Sequence, residues 1–446
     1  MPSFDDPIPA LPELFVDRRG EQFLLLNPRG PRWCMGSRLA AVFAELCDGR
    51  RTLRDIHALM APHFRGLTPE HLAEVSDGLT GLHFFEEGWR VPRTALWNVI
   101  FNLTRTCNLQ CPFCYYDSGP AAGKPAGGEL TAAEWIRVAG EVAAVNSEAK
   151  IYVMGGEPLI RKDAPAIIEG IARHGLNIRL VTNGMLITQE LARRLAVVPK
   201  LTVQVSIDSI LPDENALTRG PDHLPKALNA VRWLKAAGAE VLVSATVTQT
   251  NRWNLWRLQA HLARMGVRFR SSFFFVGGER SQSAEGRLAL SPDDLWMTAL
   301  HTARHGSANL TSLAAARLEP GVVRSSCGVG FGTLSIAPDG QIFPCNHLTA
   351  PDQLLGSVRN LPIATIAAAG GETYRAVDVD QTPGCAECPV RYICTGACKA
   401  SASHAYGTMQ TPPPDCAFRR RACLETLWTD VLGDAYELPA ESPVVQ

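Results

Sequence analysis

Residues 107–114 read Cys107-Asn-Leu-Gln-Cys111-Pro-Phe-Cys114. Three thiols within one short loop are too crowded for a framework of disulfides. They suit three thiolates that bind three corners of one iron–sulfur cubane, and a cubane with three protein ligands leaves one iron open to a substrate or cofactor. The alternative interpretation is a zinc knuckle or a chance group of core cysteines. The rest of the chain favours the cubane.

The composition is that of an ordinary globular protein. Of the 446 residues, 46% are hydrophobic and 20% are charged, and the net charge is −1. At roughly 150 residues per domain, this length predicts two or three domains. The near-neutral charge offers no basic surface for nucleic acid, and the sequence lacks an apolar run of about 18 residues that would span a membrane. The first residues do not have the pattern of a signal peptide. We therefore expect a cytoplasmic protein without membrane or nucleic-acid partners.

Residues 1–92 have the pattern of a small winged-helix-like domain. Residues 21–27 (EQFLLLN) predict a strand of a hairpin. Ser37 and Thr52 each precede a helix with periodic apolar residues and are predicted N-caps. Thr68 precedes a third helix, which has Pro69 at its first position. A short sheet followed by three amphipathic helices is typical of a winged helix.

Residues 46–56 (LCDGRRTLRDI) resemble the peptide chaperone of pyrroloquinoline quinone biosynthesis. That family is the RiPP recognition element, which binds the leader of a ribosomal precursor peptide by adding it as a strand to its sheet. The resemblance implies that residues 1–92 bind such a leader. A DNA-binding winged helix and a packing domain without a ligand remain as alternatives.

Residues 93–310 alternate between predicted strands and predicted helices. The strands are predicted at 97–104, 150–154, 177–182, 201–207, 240–248 and 267–275, and the helices at 131–145, 163–173, 187–198, 224–237 and 253–265. Repeated βα units indicate an α/β fold with a parallel sheet and right-handed crossovers. Six such units are too few for an eight-stranded barrel and predict a partial (β/α)6 TIM-like barrel. The cysteine loop follows the first strand, and ligands bind at the carboxyl ends of parallel strands.

The spacing C-x3-C-x2-C, with Phe113 before the third cysteine, resembles the signature of the radical SAM enzymes. In that family the open iron of a [4Fe–4S] cluster chelates S-adenosylmethionine, which is cleaved to a 5′-deoxyadenosyl radical. The resemblance assigns Cys107, Cys111 and Cys114 as cluster ligands at the catalytic centre. It also implies that Phe113 lies against the adenine.

The same resemblance implies a site for S-adenosylmethionine at the ends of the next strands. Residues 155–158 resemble the GGEP motif that receives the methionine amino group, and glycines permit the close approach of a ligand. In the family, a serine or acid holds the ribose and methionyl groups, and an arginine meets the carboxylate. The implied residues are Phe113, Gly155, Gly156, Glu157, Pro158, Asn183, Ser206, Asp208 and Arg219. The alternatives are ordinary turns at 155–158 and 183–184, and a helix N-cap at 206–208 with an unrelated surface arginine at 219.

Seven of the thirteen cysteines lie between residues 327 and 416. In the expected compartment, clustered cysteines indicate metal binding. Their spacing resembles the SPASM domain, which binds two auxiliary [4Fe–4S] clusters. We predict this domain over 311–434, with metal required for its folding, and a disordered tail over 435–446. The resemblance assigns Cys327, Cys345 and Cys398 to the first auxiliary cluster and Cys385, Cys388, Cys394 and Cys416 to the second.

The first auxiliary cluster has only three assigned cysteines. Its fourth site is therefore either open or filled by another ligand such as His347 or Asp339. Structural zinc is the alternative for the whole segment, but seven thiols do not divide into four-ligand sites. Cys423 is predicted to pack within a helix rather than to replace Cys416. The run 419–421 (RRR) is predicted to be a solvated helix face.

The three segments together resemble the peptide-modifying radical SAM maturases of RiPP biosynthesis, akin to sactipeptide and ranthipeptide thioether synthases. The resemblance implies an oxidoreductase that forms a thioether or another intramolecular cross-link in a precursor peptide. It implies three [4Fe–4S] clusters, S-adenosylmethionine, and an electron donor such as flavodoxin or ferredoxin. Sulfatase-maturing enzymes carry an aspartate base where this chain has Asn346, which disfavours their oxidation here. A related enzyme acting on a small molecule or tetrapyrrole, and peptide epimerisation or another side-chain oxidation, remain as alternatives.

Overall fold

The computed structural model describes residues 4–93, 96–123, 128–305 and 318–438. The N-terminal part begins with an antiparallel sheet in the order β1-β2-β3. These strands are β1 (Phe15–Arg19), β2 (Gln22–Asn27) and β3 (Arg32–Gly36), and the helices that follow are α1 (Arg38–Leu46), α2 (Leu53–Met60) and α3 (Pro69–Gly81). The sheet and the helices stand in the predicted order.

Short polar side chains begin these helices. Ser37 Oγ accepts a hydrogen bond from the N–H of Ala40 at 3.2 Å. Thr52 and Asp55 form a capping box, in which each side chain accepts from the other residue's backbone N–H. The helices and the sheet share an apolar core of their own. Its largest buried members include Phe43, Leu53, Ile56, Leu72 and Phe84.

Six parallel strands form one side of a second, larger sheet and lie within a residue or two of their predicted ranges. They are β5 (Asn98–Asn102), β6 (Lys150–Met154), β7 (Asn177–Thr182), β8 (Leu201–Ser206), β9 (Glu240–Val247) and β10 (Arg268–Phe273). Neighbours in sequence are neighbours in the sheet, and every pair is parallel. Residues such as Val153, Leu180 and Val203 are fully buried in the core that these strands share with the helices. The predicted α/β class is confirmed.

Helices connect these strands and cover the sheet. They are α4 (Ala132–Val145), α5 (Ala164–Ala172), α6 (Gln189–Ala196), α7 (Pro212–Arg219), α8 (His223–Ala236) and α9 (Leu255–Arg264). Two further helices, α10 (Glu279–Leu288) and α11 (Pro292–His305), follow β10 and have no counterpart among the predicted elements. The sequence of α10, ERSQSAEGRL, is largely polar, so it lacks the apolar stripe by which a helix is predicted.

The C-terminal segment extends the central sheet. β12 (Thr333–Ile336) pairs in parallel with β5, and β13 (Gln341–Phe343) and β14 (Gly356–Ser357) continue the sheet to nine strands. β11 (Val322–Val323) pairs with β4 (Trp89–Arg90), at the end of the N-terminal domain. The helices are α12 (Ile363–Thr373), α13 (Arg391–Cys394), α14 (Lys399–Tyr406) and α15 (Cys416–Leu432). These short strands are below the length at which alternation becomes visible in sequence.

The N-terminal domain is docked on this C-terminal segment. Leu24 and Leu26 of β2 are fully buried in one apolar cluster with Val390, Ile393 and Trp428. Polar contacts surround the cluster. Trp33 Nε1 donates to Asp430 at 2.8 Å, Trp428 Nε1 donates to Asp17 at 2.7 Å, and Arg19 pairs with Glu425 at 2.8 Å. The sheet of this domain is therefore covered on both faces.

The run 419–421 is not a solvated face. Arg419 is largely enclosed and pairs with Asp415 at 2.6 Å. Arg421 lies over the ring of Trp296 at 3.8 Å, so the prediction holds only for Arg420, which is exposed. The helix packs two of the three arginines against neighbours, which a charge run alone does not reveal.

The beginning of the tail predicted to be disordered over 435–446 is packed. The hydroxyl of Tyr436 donates to Glu425 at 2.6 Å, and Leu438 joins the apolar cluster of α11; residues 439–446 lie outside the described part of the chain. Among the described helices, none is both long enough and apolar enough to span a membrane.

Candidate active site

The cysteine loop leaves the carboxyl end of β5. The N–H of Cys107 donates to the carbonyl of Gly119 at 3.1 Å, which closes the base of the loop. The N–H of Leu109 points at Cys107 Sγ at 3.4 Å, and the N–H of Ser118 points at Cys114 Sγ at 3.4 Å. Backbone donors of this kind stabilise a thiolate more than a neutral thiol.

The two glycines after β6 are required by the backbone on which the cysteine loop rests. A Cβ on Gly155, whose φ is +130°, would stand 2.5 Å from the carbonyl oxygen of Thr104, and a Cβ on Gly156 would stand 2.2 Å from that of Thr106. The N–H groups of Gly156 and Glu157 donate to these same carbonyls, at 2.8 and 2.9 Å. The glycines thus let residues 155–158 pack directly under the loop.

Glu157 is fully buried and holds the neighbouring strand end. Its carboxylate accepts hydrogen bonds from Thr182 Oγ1 at 2.7 Å, from the N–H of Asn183 at 2.8 Å and from the N–H of Leu159 at 3.1 Å. Burial raises the pKa of Glu157 to about 7, although these donors oppose the shift. Pro158 begins a buried 3₁₀ turn behind it. The geometry therefore gives Glu157 and Pro158 a supporting position.

Asn183 connects β7 to the cysteine loop. Its Nδ2 donates to Asn108 Oδ1 at 2.7 Å and lies 4.0 Å from Cys107 Sγ. His223 Nε2 donates to the carbonyl of Asn183 at 2.9 Å, and Asn215 contacts the other ring nitrogen at 3.1 Å. Burial, followed by repulsion from Arg219, lowers the pKa of His223 to about 4. A neutral His223 thus positions Asn183.

Arg219 lies beside the second cysteine of the loop. Its guanidinium is paired with Asp208 at 2.7 Å, lies 4.9 Å from the ring centre of Phe113 and is 3.9 Å from Cys111 Sγ. Asp208 is 1% exposed and also accepts from Thr218 Oγ1 at 2.8 Å. The geometry therefore makes Asp208 a residue that orients Arg219.

A cavity of about 370 Å³ collects most of the predicted site residues. Glu157, Pro158 and Asp208 do not line it. The lining from the predicted set is Cys107, Cys111, Phe113, Cys114, Gly155, Gly156, Asn183, Ser206 and Arg219.

The three loop thiols fit an iron–sulfur group. Burial raises the pKa of the Cys107 thiol to about 12, and Cys111 and Cys114 lie close enough to raise it further. Such thiols release their protons only to a cation that replaces them. Among the described residues, no three His, Cys, Asp or Glu side chains stand close enough to hold a single metal ion. The mutual proximity of the three thiols is what a shared iron–sulfur cubane needs.

The seven C-terminal cysteines form two groups. The first consists of Cys327, Cys345 and Cys398. Burial raises the pKa of Cys345, and proximity to Cys398 and Cys327 raises it further. The pKa of Cys398, at about 11, is likewise raised by burial and by Cys327. The fold thus assembles the first predicted set of thiols.

The second group surrounds Cys416. Burial raises the pKa of Cys416 to about 11, and Cys394, Cys385 and Cys388 raise it further. Cys423 is fully buried and its side chain is hydrogen-bonded to that of Cys394. Cys423 is therefore a packed neighbour of the second group, and its contact with Cys394 is one that spacing does not predict.

Comparison with known protein families identifies the middle and the C-terminal parts of the chain. Residues 101–265 match the model of the Radical SAM superfamily. The chain thus contains a Radical SAM domain. Residues 327–389 match SPASM, an iron–sulfur cluster-binding domain. The chain is therefore a radical SAM enzyme, and the cofactors of its two matched domains are S-adenosylmethionine and iron–sulfur clusters.

Relatives of this radical SAM enzyme include two named for peptide maturation. Mycofactocin maturase MftC of Mycobacterium tuberculosis is 26% identical over 340 residues, which span 74% of this chain and 84% of that protein. PqqA peptide cyclase of Granulibacter bethesdensis is 27% identical over 337 residues, 72% of this chain and 86% of that protein. Streptococcus suis SuiB bound to precursor peptide SuiA shares the fold, with a TM-score of 0.57, 13% identity and coverage of 92% of this chain and all of that one.

The radical SAM cavity also reaches the SPASM domain. His347, two residues beyond Cys345, lines it and lies with its ring 3.9 Å from that of Phe275 and 4.4 Å from that of Tyr115. Asp339 lines a neighbouring cavity instead, and its carboxylate accepts from the N–H of Gln341. Of the two candidate fourth ligands, the structure brings His347 to the shared cavity.

Several residues of the radical SAM site are not predicted by the sequence patterns. Tyr115 directly follows the cysteine motif, and this adjacency could have indicated that it belongs to the site. His223 and Asn215 lie on helices and act through Asn183, so no motif marks them. Arg270 lines the cavity from β10, and its position alternates with buried Ser271, which is the period-two pattern of an inward-facing strand residue.

Proposed function

We propose that this radical SAM enzyme is a peptide maturase that modifies a ribosomally made precursor peptide. One observation carries the proposal: the cysteine loop and His347 of the SPASM domain line a single cavity. A substrate held in that cavity lies between the two iron–sulfur regions. The names of the two relatives, a maturase and a peptide cyclase, support a peptide as the substrate.

When bound, the cluster and S-adenosylmethionine supply a 5′-deoxyadenosyl radical that takes a hydrogen atom from a substrate carbon. We propose that the modification is a thioether or another intramolecular cross-link, and that the chain carries three [4Fe–4S] clusters reduced by a donor such as flavodoxin or ferredoxin. The proposed ligands are the ten cysteines of the loop and of the two C-terminal groups. The residues of the cavity enclose the substrate, and Arg219, Asn183 and Ser206 are placed to orient S-adenosylmethionine.

The leader of the precursor is proposed to bind the N-terminal domain at β3. That strand pairs with β2 on one side, and no described strand pairs with its other side. An unpaired edge offers backbone donors and acceptors to an extended peptide. Met35 on this strand is 49% exposed, which gives an incoming leader an apolar contact.

The test is a search for a short open reading frame beside the gene, followed by co-expression of that frame with the enzyme. Mass spectrometry of the peptide should show a decrease that corresponds to lost hydrogen atoms, and tandem spectra should locate the link. The matched control is the Cys107→Ala/Cys111→Ala/Cys114→Ala enzyme, which should leave the peptide unchanged. An unmodified peptide beside efficient turnover of a small molecule would reject the maturase assignment.

Leader binding has its own test on the full chain. Met35→Asp should weaken the binding of a fluorescent leader peptide by about tenfold, because it places a charge on the apolar edge. Leu217→Asp is the matched control, since Leu217 is an exposed leucine of α7 that is 62% exposed. Equal affinity of both variants and the wild type would place the leader elsewhere.

A further inference from the structure

The interior of the barrel carries an excess of positive charge. Three cations lie near one another: Lys150 of β6, Arg179 of β7 and Arg270 of β10. The charges of Arg179 and Arg270 each lower the pKa of Lys150. Arg268 of the same strand as Arg270 is paired with Glu240, and both side chains are more than half exposed. Among the described residues, Glu240 is the carboxylate that raises the pKa of Lys150 against these cations. Because Glu240 is paired with Arg268, it leaves most of the positive charge uncompensated.

Arg270 is the cation that reaches the catalytic cavity. It lines that cavity together with the polar side chains of Gln204, Ser244 and Ser272. In the sheet, Arg270 lies opposite Ser244, and Ser244 lies opposite Ser206. A row across three strands therefore leads from the proposed S-adenosylmethionine contact to this guanidinium.

Arg270 also lacks an internal partner. Throughout the described ranges, no hydrogen bond or ion pair is made by its guanidinium, whereas Arg219 in the same cavity is paired with Asp208 at 2.7 Å. Behind it, Arg179 lies over Tyr152 at 5.5 Å and its buried Nε has no hydrogen-bond partner. Burial and repulsion from Arg179 lower the pKa of Arg270. Arg270 is nevertheless exposed, so its guanidinium is accessible to an anion in the cavity, and such an anion would offset the repulsion from Arg179.

We propose that Arg270, with Ser244 and Ser272, is a subsite that binds a carboxylate of the substrate in the catalytic cavity. A guanidinium fork matches a carboxylate through two parallel hydrogen bonds, and the serine hydroxyls add donors on either side. We expect the carboxylate of S-adenosylmethionine to bind at the other end of the cavity, near the cysteine loop, where Arg219 lies 3.9 Å from Cys111 Sγ. The subsite is thus left for an anion of the other reactant.

This inference rests on the proposed function, and it specifies a substrate with a carboxylate near the modified carbon. Such a carboxylate comes either from an aspartate or glutamate side chain or from the peptide's C-terminus. Anchoring it fixes one neighbouring carbon relative to the cavity wall, so the subsite determines which residue is modified.

The binding test uses the anaerobic, cluster-loaded full chain with S-adenosylmethionine. Phenylglyoxal modifies arginine, and peptide mass spectrometry reports the rate at each position. The probes are N-acetylglutamate N-methylamide, which has only a side-chain carboxylate, N-acetylalanylglycine, which has only a terminal one, and neutral N-acetylglutamine N-methylamide. At saturation, a carboxylate probe should slow the modification of Arg270 at least fivefold, about the occlusion expected of a direct ion pair. Arg268, paired with Glu240, is the internal control and should be unaffected.

The outcomes of the protection experiment distinguish the two sources of the carboxylate. Protection by the first probe assigns a side-chain carboxylate, protection by the second assigns the C-terminus, and protection by both assigns carboxylates in general. No protection by either, equal protection by the neutral probe, or complete protection by S-adenosylmethionine alone would overturn the inference. The Ser244→Ala variant should lose part of the protection, which distinguishes the built subsite from attraction to charge alone.

The kinetic test uses the co-expressed precursor. Arg270→Gln should raise KM for the peptide by about tenfold to a hundredfold, while Arg270→Lys recovers part of it and Arg268→Gln leaves it unchanged. Cleavage of S-adenosylmethionine without peptide should stay within twofold in Arg268→Gln. An unaltered KM in Arg270→Gln overturns this inference and leaves the peptide assignment standing. Probe protection with no peptide modified by any variant instead rejects the proposed function.

Discussion

The hydroxyl of Tyr115 accepts a hydrogen bond from Asn346 Nδ2 at 2.9 Å. Tyr115 directly follows Cys114 in the radical SAM loop, and Asn346 directly follows Cys345 in the SPASM domain. One side-chain contact therefore joins a neighbour of the catalytic cluster to a neighbour of the first auxiliary group. Burial raises the pKa of Tyr115 despite this hydrogen bond, so the phenol stays neutral.

Tyr115→Phe should loosen the SPASM side of this contact. Removal of the hydroxyl leaves the Asn346 amide without this acceptor, at a cost of about 1 kcal/mol. Hydrogen exchange of the backbone over residues 344–350 should become several-fold faster, while the barrel strands remain protected. Tyr116→Phe is the matched control, because the hydroxyl of Tyr116 makes no hydrogen bond in the part of the chain that the structure describes. Equal exchange in both variants would contradict the link.

Gly156→Ala should displace the cysteine loop, which packs directly against Gly156. The added Cβ would stand 2.2 Å from the Thr106 carbonyl, so the loop must shift, at a cost of about 1–3 kcal/mol. The expected result is loss of S-adenosylmethionine binding with retained SPASM iron. Gly286→Ala is the control, since a Cβ there meets nothing within 4 Å and the position lies inside α10. A Gly156→Ala enzyme with normal cofactor affinity would show that this close approach is dispensable.

Sequence alone predicts the parts of this protein whose local chemistry is strong. The barrel strands are found within a residue or two because most of them are short apolar or alternating runs bounded by helices, and the cysteine motifs mark their own loops. Residues that act by positioning another residue are not marked by such sequence patterns. Glu157 belongs to a motif, but its carboxylate faces Thr182 and Asn183 instead of the cavity, and only three-dimensional packing sets that direction.

The N-terminal sheet shows the same limit. Residues 23–27 (FLLLN) of β2 are all buried, so the strand has no polar face to display. Phe23 and Leu25 pack in their own domain, whereas Leu24 and Leu26 pack against Trp428 and its neighbours. A continuous apolar run indicates burial on both faces, yet it does not say which partner covers the second face.

The two auxiliary groups should lose iron independently. Cys345→Ala should remove about four irons of the first group, and Cys388→Ala about four of the second, because each cubane contains four irons. Mössbauer spectroscopy and iron analysis after anaerobic reconstitution measure both. Cys47→Ala is the control, since this buried thiol belongs to the core of the N-terminal domain. Loss of both groups' iron in either variant would contradict the separate grouping of the thiols.

Arg419 should matter to folding far more than its neighbour Arg420. Arg419→Gln leaves Asp415 without its partner at 2.6 Å, and breaking an enclosed ion pair costs about 3 kcal/mol. The midpoint of urea unfolding of the SPASM domain should fall accordingly. Arg420→Gln removes the same charge from an exposed position and should change the midpoint little. Similar midpoints for the two variants would restore the solvated-face interpretation of the run 419–421.

Docking of the N-terminal domain should depend on Leu24. This side chain is fully buried beside Val390, Ile393 and Trp428, so Leu24→Ala should cost about 2–5 kcal/mol of interface packing. The cluster also includes the second-group cysteines Cys388 and Cys394. We therefore expect faster proteolysis between the N-terminal domain and the barrel.

Iron loss should accompany this release, because a loosened Leu24 contact exposes the ligands of the second auxiliary group to chelators. Leu59→Ala is the matched control, since Leu59 of α2 is 49% exposed and its truncation removes no interface. The chelation rate of the first group, which lies outside this apolar cluster, should stay near that of the wild type. If Leu24→Ala released the domain but left the second group's iron as resistant as before, docking and cluster protection would be separate properties. If both properties change together, docking of the N-terminal domain is what protects the second auxiliary group.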